Sequence, residues 1–372
     1  QEEIMEKSKV YFTDMDSSIN EPLPQKLQRL CVKAGIKNID FEGKFVAVKV
    51  HFGEPGNMAY LRPNYARAVC DLIKSLGGKP FVTDCNTLYV GGRKNALEHL
   101  DSAYQNGYNP FQTGVQTIIA DGLKGTDEEL VPINQKWVKE AKIGRAIMDA
   151  DIFISLSHFK GHEAAGFGGA LKNIGMGCGS RAGKMEQHCD SKPEVDEKTC
   201  RGCGTCQKIC AHGALQFNEN HKMHINTDKC VGCGRCIGMC PFDAIAPIWG
   251  QANDVLNEKI AEYAYAVVKD RPNFHIALAI DISPECDCGN YNAIPSVADV
   301  GMFASFDPVA LDQACADACN ASPEIPGSHL AKSDHSHHDV FTDVHPETNW
   351  KTCLAHAEEI GLGKREYELI RI

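Results

Sequence analysis

The sequence predicts an α/β fold in which a mostly parallel sheet flanked by helices is interrupted by a small α+β insert. Three observations predict it. Strand-like and helix-like segments alternate through the first half of the chain, the alternation breaks at Asp190 and resumes near Asn253, and the text between holds a doubled four-cysteine spacing. Strands alternating with helices of about 10–15 residues build βαβ units and a parallel sheet. A pattern that breaks and resumes describes a nested organisation: one discontinuous α/β domain, residues 1–189 and 251–372, around an insert at 190–250. At 372 residues the chain is long enough for a full core plus one small domain.

The elements follow in order. Val10 to Thr13 is a short β-type run, and Glu21 to Ala34 has helical spacing through Leu23, Leu27, Leu30 and Cys31. Phe45 to Phe52 (FVAVKVHF) is a β-branched strand, Tyr65 to Leu76 a helix stopped by Gly77-Gly78, and Lys79 to Thr83 a strand. Arg93 to Tyr104 reads as helix, Val115 to Ala120 as strand, Lys136 to Met148 as helix, and Asp151 to Leu156 as a short buried strand. After the insert, Val255 to Val268 is a helix, Phe274 to Ile282 and Val300 to Ala304 are strands, and Asp307-Pro308 opens a helix as N-cap and first helical residue. Trp350 to Glu359 is a late helix, and Tyr367 to Ile372 a closing strand or tail.

Hydrophobic residues at 43% and charged residues at 23% are ordinary for a globular protein. A formal charge of −11 argues against nucleic acid and anionic membranes as partners, since both reward basic surfaces. No apolar run approaches the ~20 residues that span a bilayer. Gln1 to Asn20 has no apolar h-region, so a cytoplasmic location is expected. Eighteen cysteines in a long acidic chain fit metal thiolates in a reducing compartment better than a secreted disulfide scaffold. Oxygen-labile centres of that kind would suit an anaerobe.

The insert carries the internal repeat: Cys200, Cys203, Cys206 and Cys210 recur thirty residues on as Cys230, Cys233, Cys236 and Cys240. Both halves read C-x2-C-x2-C-x3-C, the bacterial ferredoxin spacing. Three closely spaced thiolates in a glycine-containing loop wrap three corners of one cubane, and the fourth points away and completes the other. The expectation is two [4Fe–4S] clusters, one on Cys200, Cys203, Cys206 and Cys240, the other on Cys230, Cys233, Cys236 and Cys210. The alternative for C-x2-C pairs is a pair of zinc knuckles, which the doubled register disfavours. Cys240 is followed by Pro241 but Cys210 by Ala211, so the cluster bound by Cys210 is expected to be the more exposed.

Four stretches follow predicted strands. His51 to Glu54, Thr83 to Asn86, the run from His158 to His188, and Asp281 to Cys288 place histidines, acids, an asparagine and thiols at strand ends. Each alone reads as polar residues ending a strand; the four together point to a ligand site, because open α/β sheets bind at the carboxyl ends of their strands. Gly161 to Gly183 holds eight glycines in twenty-three residues, with Lys160, Lys172, Arg181 and Lys184 among or beside them. Backbone nests beside lysines bind carboxylate or phosphate; the alternative is a tight loop packed on the sheet. No G-x-G-x-x-G follows an early strand, so no NAD site is expected, while flavin stays open.

Across VKVHFGEPGN, TDCNTLYVGGR, LSHFKGHEAAGFGGALKNIGMGCGSRAGK, the eight-cysteine insert, DISPECDC and DVGMFASFDPVALDQACAD, the chain resembles uncharacterised iron–sulfur centre proteins. Those proteins carry the domain of unknown function 362 with an inserted two-cluster ferredoxin module. The resemblance covers most of the chain and implies the architecture but no reaction.

Cys178, Cys286 and Cys288 lie in these motifs outside the ferredoxin register and form a candidate third metal or cluster site, with His188 or Cys189 as a fourth ligand; free buried thiols are the alternative. Cys31, Cys70, Cys315, Cys319 and Cys353 read as core. His329, His335, His337, His338 and His345 form a histidine-rich loop, read as solvated rather than as a dedicated site.

The functional expectation is an iron–sulfur oxidoreductase. The insert relays electrons from an external donor such as a ferredoxin to a small anionic or carbonyl-bearing substrate in the α/β domain. His51, His158, His162 and His188 are the candidate proton donors, and Asp84, Asn86, Lys160, Lys172, Asn173 and Arg181 the candidate substrate-binding residues. The alternative is a non-enzymatic electron carrier or iron–sulfur scaffold docking on a partner enzyme. It leaves the three hundred or so residues outside the insert without a task.

Overall fold

A computed structural model describes residues 7–89, 91–188, 192–248 and 253–372. Eight strands form one sheet: β1 (Ser8–Thr13), β2 (Phe45–Lys49), β3 (Lys79–Asp84), β4 (Thr117–Ile119), β5 (Ile152–His158), β6 (Asn273–Ala279), β7 (Gly301–Ser305) and β8 (Tyr367–Arg371). Their spatial order is β8-β1-β7-β6-β5-β2-β3-β4. β6, β5, β2, β3 and β4 pair in parallel, β7 runs antiparallel to both β6 and β1, and β8 pairs in parallel with β1. The fold is therefore α/β, with β7 the one reversed strand.

Side chains alternate across the central strands as the two-residue period demands. Val46, Val48, Ile154, Leu156, Ile276 and Leu278 face one core, which helices α1 (Leu23–Lys33), α2 (Pro63–Ser75) and α3 (Ala96–Gln105) complete. Ala47, Phe153, Ala277 and Ala279 face the other, against α4 (Ala170–Cys178), α6 (Asn253–Val268), α7 (Pro308–Asn320) and α8 (Trp350–Glu359). The alanines on that second face let α4 and α6 lie close. A Cβ on Gly175 would stand 2.1 Å from the Ile260 carbonyl oxygen, so only glycine permits the α4–α6 approach. Helix α5 (Arg181–His188) follows α4 directly.

One predicted element is wrong. Lys136 to Met148 is not a helix but part of a hairpin, Glu128–Pro132 with Glu140–Gly144, followed by a single turn at Arg145–Met148. The Glu262 carboxylate on α6 takes the Trp137 amide at 3.1 Å and the Val138 amide at 2.7 Å, and Ala141 and Ile143 are buried on one side. Tertiary contacts overrode a local helical pattern.

The segment 192–248 contains two short ribbons, Pro193–Val195 with Ile245–Pro247 and Leu215–Phe217 with Met223–Ile225. Two one-turn helices, Thr205–Ile209 and Arg235–Met239, each start after a left-handed glycine, Gly204 (φ 74°) and Gly234 (φ 66°). A small core of its own joins Cys200, Cys206, Cys236, Cys240, Leu215, Met223 and Ile237, and Leu88 and Met185 of the large unit enter it. Asp190 and Gly250, near the expected ends of the insert, lie outside the described residues, as does Cys189.

Candidate functional site

The carboxyl ends of β2, β3, β5 and β6 deliver their loops to one edge of the sheet. Lys49 ends β2, two residues after Ala47 and on the same face, toward α4. Its buried Nζ lies 3.0 Å from Asp84 Oδ1 and donates to Asn173 Oδ1 at 2.8 Å. Asn173 Nδ2 in turn donates to the Lys49 and Leu156 carbonyls, each at 3.2 Å, and to Ser157 Oγ at 3.1 Å. One amide thus ties β2, β5 and α4 together. Burial is the strongest single influence and works to raise the Asp84 carboxyl, but Lys49 and the other positive groups around it, Lys184 among them, together outweigh it, and the group is held far below the usual carboxylate range.

A second knot centres on the buried Arg93. Its Nε donates to Glu54 Oε2 at 2.6 Å and its Nη1 meets His51 Nε2 at 2.9 Å. His51 Nδ1 accepts the Gly53 amide at 3.0 Å. Burial foremost, and then Arg93, push His51 down to about 3, so the ring stays neutral.

A third knot removes one predicted proton donor. Both nitrogens of His158 face oxygens: Nδ1 lies 2.9 Å from each Asp287 carboxylate oxygen, and Nε2 lies 2.7 Å from the Ile280 carbonyl. A ring held by acceptors on both sides fastens β5 to the Asp281–Cys288 loop and has no nitrogen left for a substrate.

Lys160, His162, Lys172, Lys184 and His188 line cavities that the two thiols of Cys286 and Cys288 also line. A narrow cavity of about 50 Å³ is lined by Lys49, His51, Asp84, Arg93, Lys160 and Asn173. It shares Tyr89, Lys172, Met176, Lys184 and both thiols with a larger one of about 540 Å³. His162, His188 and Tyr291 line the larger cavity, which is in the size range of small-molecule sites. Lys49, Arg93, Lys160, Lys172 and Lys184 face Asp84, Glu54, Glu163 and Asp287, five cations against four carboxylates. In a chain of net charge −11 this edge suits an anion.

Three other predicted residues do not reach a ligand. Arg181 is fully buried: Nη1 donates to the Thr87 carbonyl and Nε to the Lys124 carbonyl, both at 3.2 Å, and Nη2 to the Lys94 carbonyl. Asn86 turns away from both cavities, donating from Nδ2 to Asp121 Oδ1 at 2.8 Å and the Gly122 carbonyl at 2.9 Å. Cys178 stands apart from the other two thiols, its Sγ 4.0 Å from the Asn173 carbonyl. The expected anion nest at the start of α4 is also filled. Asp312 accepts the Ala170 amide at 2.6 Å and the Leu171 amide at 2.8 Å, and a Cβ on Gly169 would stand 2.3 Å from its Oδ1. Glycine there makes room for a carboxylate of the chain itself.

His162, Cys286 and Cys288 offer ligand atoms all within 4.8 Å of one another, the one such group of three among the described residues. With eighteen cysteines in the chain, it fits metal binding. The histidine-rich loop contributes no such group; His345 Nε2 instead meets the Pro284 carbonyl at 2.7 Å. Sequence reasoning missed Lys49 and Arg93. The available signals were a lone charge inside the apolar run FVAVKV and a cation following Gly91-Gly92.

In the segment 192–248 the eight cysteines divide into two sets. Cys200, Cys203, Cys206 and Cys240 line one small space, and Cys210, Cys230, Cys233 and Cys236 line another. Backbone amides already point at three of these sulfurs: Ala214 at Cys210 Sγ (3.4 Å), Ala244 at Cys240 Sγ (3.3 Å) and Met223 at Cys200 Sγ (3.4 Å). Phe242 and Val231, both exposed, stand beside the first and second space.

Among the described residues no helix is long and apolar enough to cross a membrane. A thylakoid-associated protein of Synechocystis sp. is 28% identical over 127 residues, 33% of this chain and 35% of that protein. Among solved structures, the lactate racemase apoprotein from Thermoanaerobacterium thermosaccharolyticum has a TM-score of 0.38 at 13% identity, over 73% of this chain and 51% of that one. A Thermotoga maritima protein has a TM-score of 0.42 at 13% identity, over 84% of this chain and 60% of that one. The chain thus spans about a third of the curated relative and little more than half of either solved chain. A family model matches residues 46–317, most of the α/β unit together with the cysteine segment, and the chain belongs to that family, described as domain of unknown function (DUF362).

Proposed function

We propose that this chain is an iron–sulfur oxidoreductase, in which residues 190–250 form a ferredoxin-like module and the larger cavity holds a small anionic or carbonyl-bearing substrate. The observation that carries the reading is helix α5. Arg181 and Met185, four residues apart, lie against Gly234 of the cysteine segment, while Lys184 and His188, again four apart, line the cavity. A single helix therefore joins the cysteine segment to the substrate space.

The residues suit the clusters. Each space has four thiols, and the amides of Ala214, Ala244 and Met223 supply the N–H···S bonds that stabilise a cluster's negative charge. Cys200, Cys203, Cys206 and Cys240 would hold one cluster, and Cys210, Cys230, Cys233 and Cys236 the other; when bound, such clusters supply single electrons. The remaining work falls to the chain's own side chains. Lys172 and Lys184 hold the anion, and His162 is the proton carrier on the cavity wall; His188, on the same wall, is kept neutral by burial. Exposed Val231 and Phe242 offer a face for an external electron donor such as a ferredoxin. The same two side chains favour a second reading, a carrier that docks on a partner enzyme and uses no substrate of its own.

Protein purified without oxygen and examined by native mass spectrometry separates the two. The oxidoreductase reading expects a bound small anion, displaced in Lys172→Met with iron content unchanged. No retained molecule, together with equal electron delivery to a partner by wild type and Lys172→Met, would leave the carrier.

A further inference from the structure

Three ligand atoms within 4.8 Å suit either a shared metal ion or a reactive thiolate, and the hydrogen bonds around Cys286 decide between them. The Cys286 carbonyl accepts the Gly289 amide at 3.1 Å, closing a turn over residues 286–289. In that turn Asp287 reaches back to His158, while the thiols on either side of it both face the larger cavity. His162 Nδ1 accepts the Ala164 and Ala165 amides, each at 3.0 Å. Its lone pair there is taken, so Nε2 carries the proton of the neutral ring and is a donor toward the thiols rather than a metal ligand. A metal-ligating histidine shows the opposite arrangement, donating from its second nitrogen. Lys172 Nζ donates to Cys286 Sγ at 3.5 Å. A lysine against the sulfur, with Lys160 and Lys184 on the same walls, opposes a dication and favours a sulfur anion.

We propose that Cys286 and Cys288 form a thiol–disulfide redox pair facing the larger cavity, with Cys286 as attacking thiolate, Cys288 as resolving thiol, and a carboxylate-bearing low-molecular-weight disulfide as substrate. The substrate class follows from the position of Lys172 and Lys184, which line the space of about 540 Å³ together with the pair, while Glu54 and Glu163 also line it. The balance is closed. The Cys286 thiolate attacks one sulfur of the substrate disulfide; a protein–substrate S–S bond forms, the substrate S–S bond breaks, and one substrate thiolate leaves and takes up a proton. Cys288 then loses its proton to solvent and attacks Cys286 Sγ, expelling the second thiolate. Two protein thiols are oxidised by two electrons, and one substrate disulfide becomes two thiols.

The proposal rests on the cavity reading above but not on the clusters, and its test reads sulfur chemistry without reducing any cluster.

The full chain, purified without oxygen and with its iron measured, is exposed to dithiodipropionate or to the uncharged hydroxyethyl disulfide, then alkylated and mapped by peptide mass spectrometry. Wild type is expected to alkylate first at Cys286, and after exposure to carry a Cys286–Cys288 disulfide. Cys288→Ser is expected to trap a mixed disulfide on Cys286, and Cys286→Ser to trap none. Lys172→Met should slow the anionic probe on the order of tenfold, and the uncharged probe less. The proposal is overturned if Cys286 alkylates no faster than the core thiol Cys353, or if the mixed disulfide forms on Cys288. It is equally overturned if zinc or cobalt is retained stoichiometrically, protects both thiols, and is lost in His162→Gln and Cys286→Ser. None of these outcomes alters the iron count that tests the module.

Discussion

Arg181 lies so close to Gly238 that a Cβ on the glycine would stand 2.5 Å from the guanidinium Cζ. The cation sits on the large unit and holds the Thr87, Lys94 and Lys124 carbonyls; the glycine sits in the second cysteine repeat. Lys94 adds an ion pair to Asp243 across the same boundary. Substituting Gly238→Ala is therefore expected to push the cysteine segment off its seat at a cost of about 1–3 kcal/mol. Hydrogen exchange should then rise in residues 192–248 and in the Thr87–Lys94 loop, and stay at the wild-type level in β5 and β6. Unchanged exchange at the boundary would show that the seat does not depend on this contact.

The division of the cysteines into two mixed sets predicts which centre a single change damages. Anaerobic protein should hold about eight iron and eight labile sulfide. Cys240→Ala should perturb the centre of Cys200, Cys203 and Cys206 and spare that of Cys230, Cys233 and Cys236, as read by electron paramagnetic resonance of the reduced protein. A spectrum in which the second centre changes and the first survives would contradict the cross-over, and four iron in the wild type would remove one centre altogether.

His158 and Lys172 should fail in different ways. His158→Ala strands the buried Asp287, which is held at about 2 because His158 and Lys160 outweigh the burial that would raise it. A loss of about 3–5 kcal/mol in stability is expected, because one partner of a buried pair is removed. Lys172→Met should melt near the wild-type temperature and lose the bound anion. Melting curves and native mass spectra of the two variants check this; a His158→Ala protein as stable as wild type would return that histidine to the list of proton donors.

Acid should destabilise the chain through neutral buried histidines. Burial foremost holds His51, His188 and His275 each at about 3, against an ordinary 6.5. Depressed values mean that the folded state binds fewer protons than the unfolded one. Their stabilisation is complete above pH 6.5 and is lost as the pH falls from 6.5 toward 3, at about 1.4 kcal/mol per pH unit for each. His275, which bonds Ser155 and Asn273 away from the cavities, isolates one of the three. The melting temperature of His275→Gln should fall less steeply between pH 7.5 and 5.5 than that of wild type; a slope equal to wild type would remove His275 from the account.

By itself the sequence determined the order and type of nearly every element, because apolar period and glycine or proline punctuation are local properties. It also determined that the motifs after β2, β3, β5 and β6 meet at one edge, because strand direction and right-handed crossovers leave little choice. The hairpin at 128–144 escaped, since its partner is a carboxylate on α6 more than a hundred residues away. Only the tertiary structure decided which polar residues remain open to a ligand. Asn86, His158, Asn173 and Arg181 looked as available as Lys172 or His162, yet each closes hydrogen bonds with groups the chain brings from elsewhere. A buried donor or acceptor must be satisfied, and its partner is chosen by three-dimensional proximity, which no spacing rule contains. The pairing of Cys286 with Cys288 and His162, instead of with Cys178, was decided in the same way. A turn at 286–289 turns both thiols to the cavity, while α4 carries Cys178 into the core.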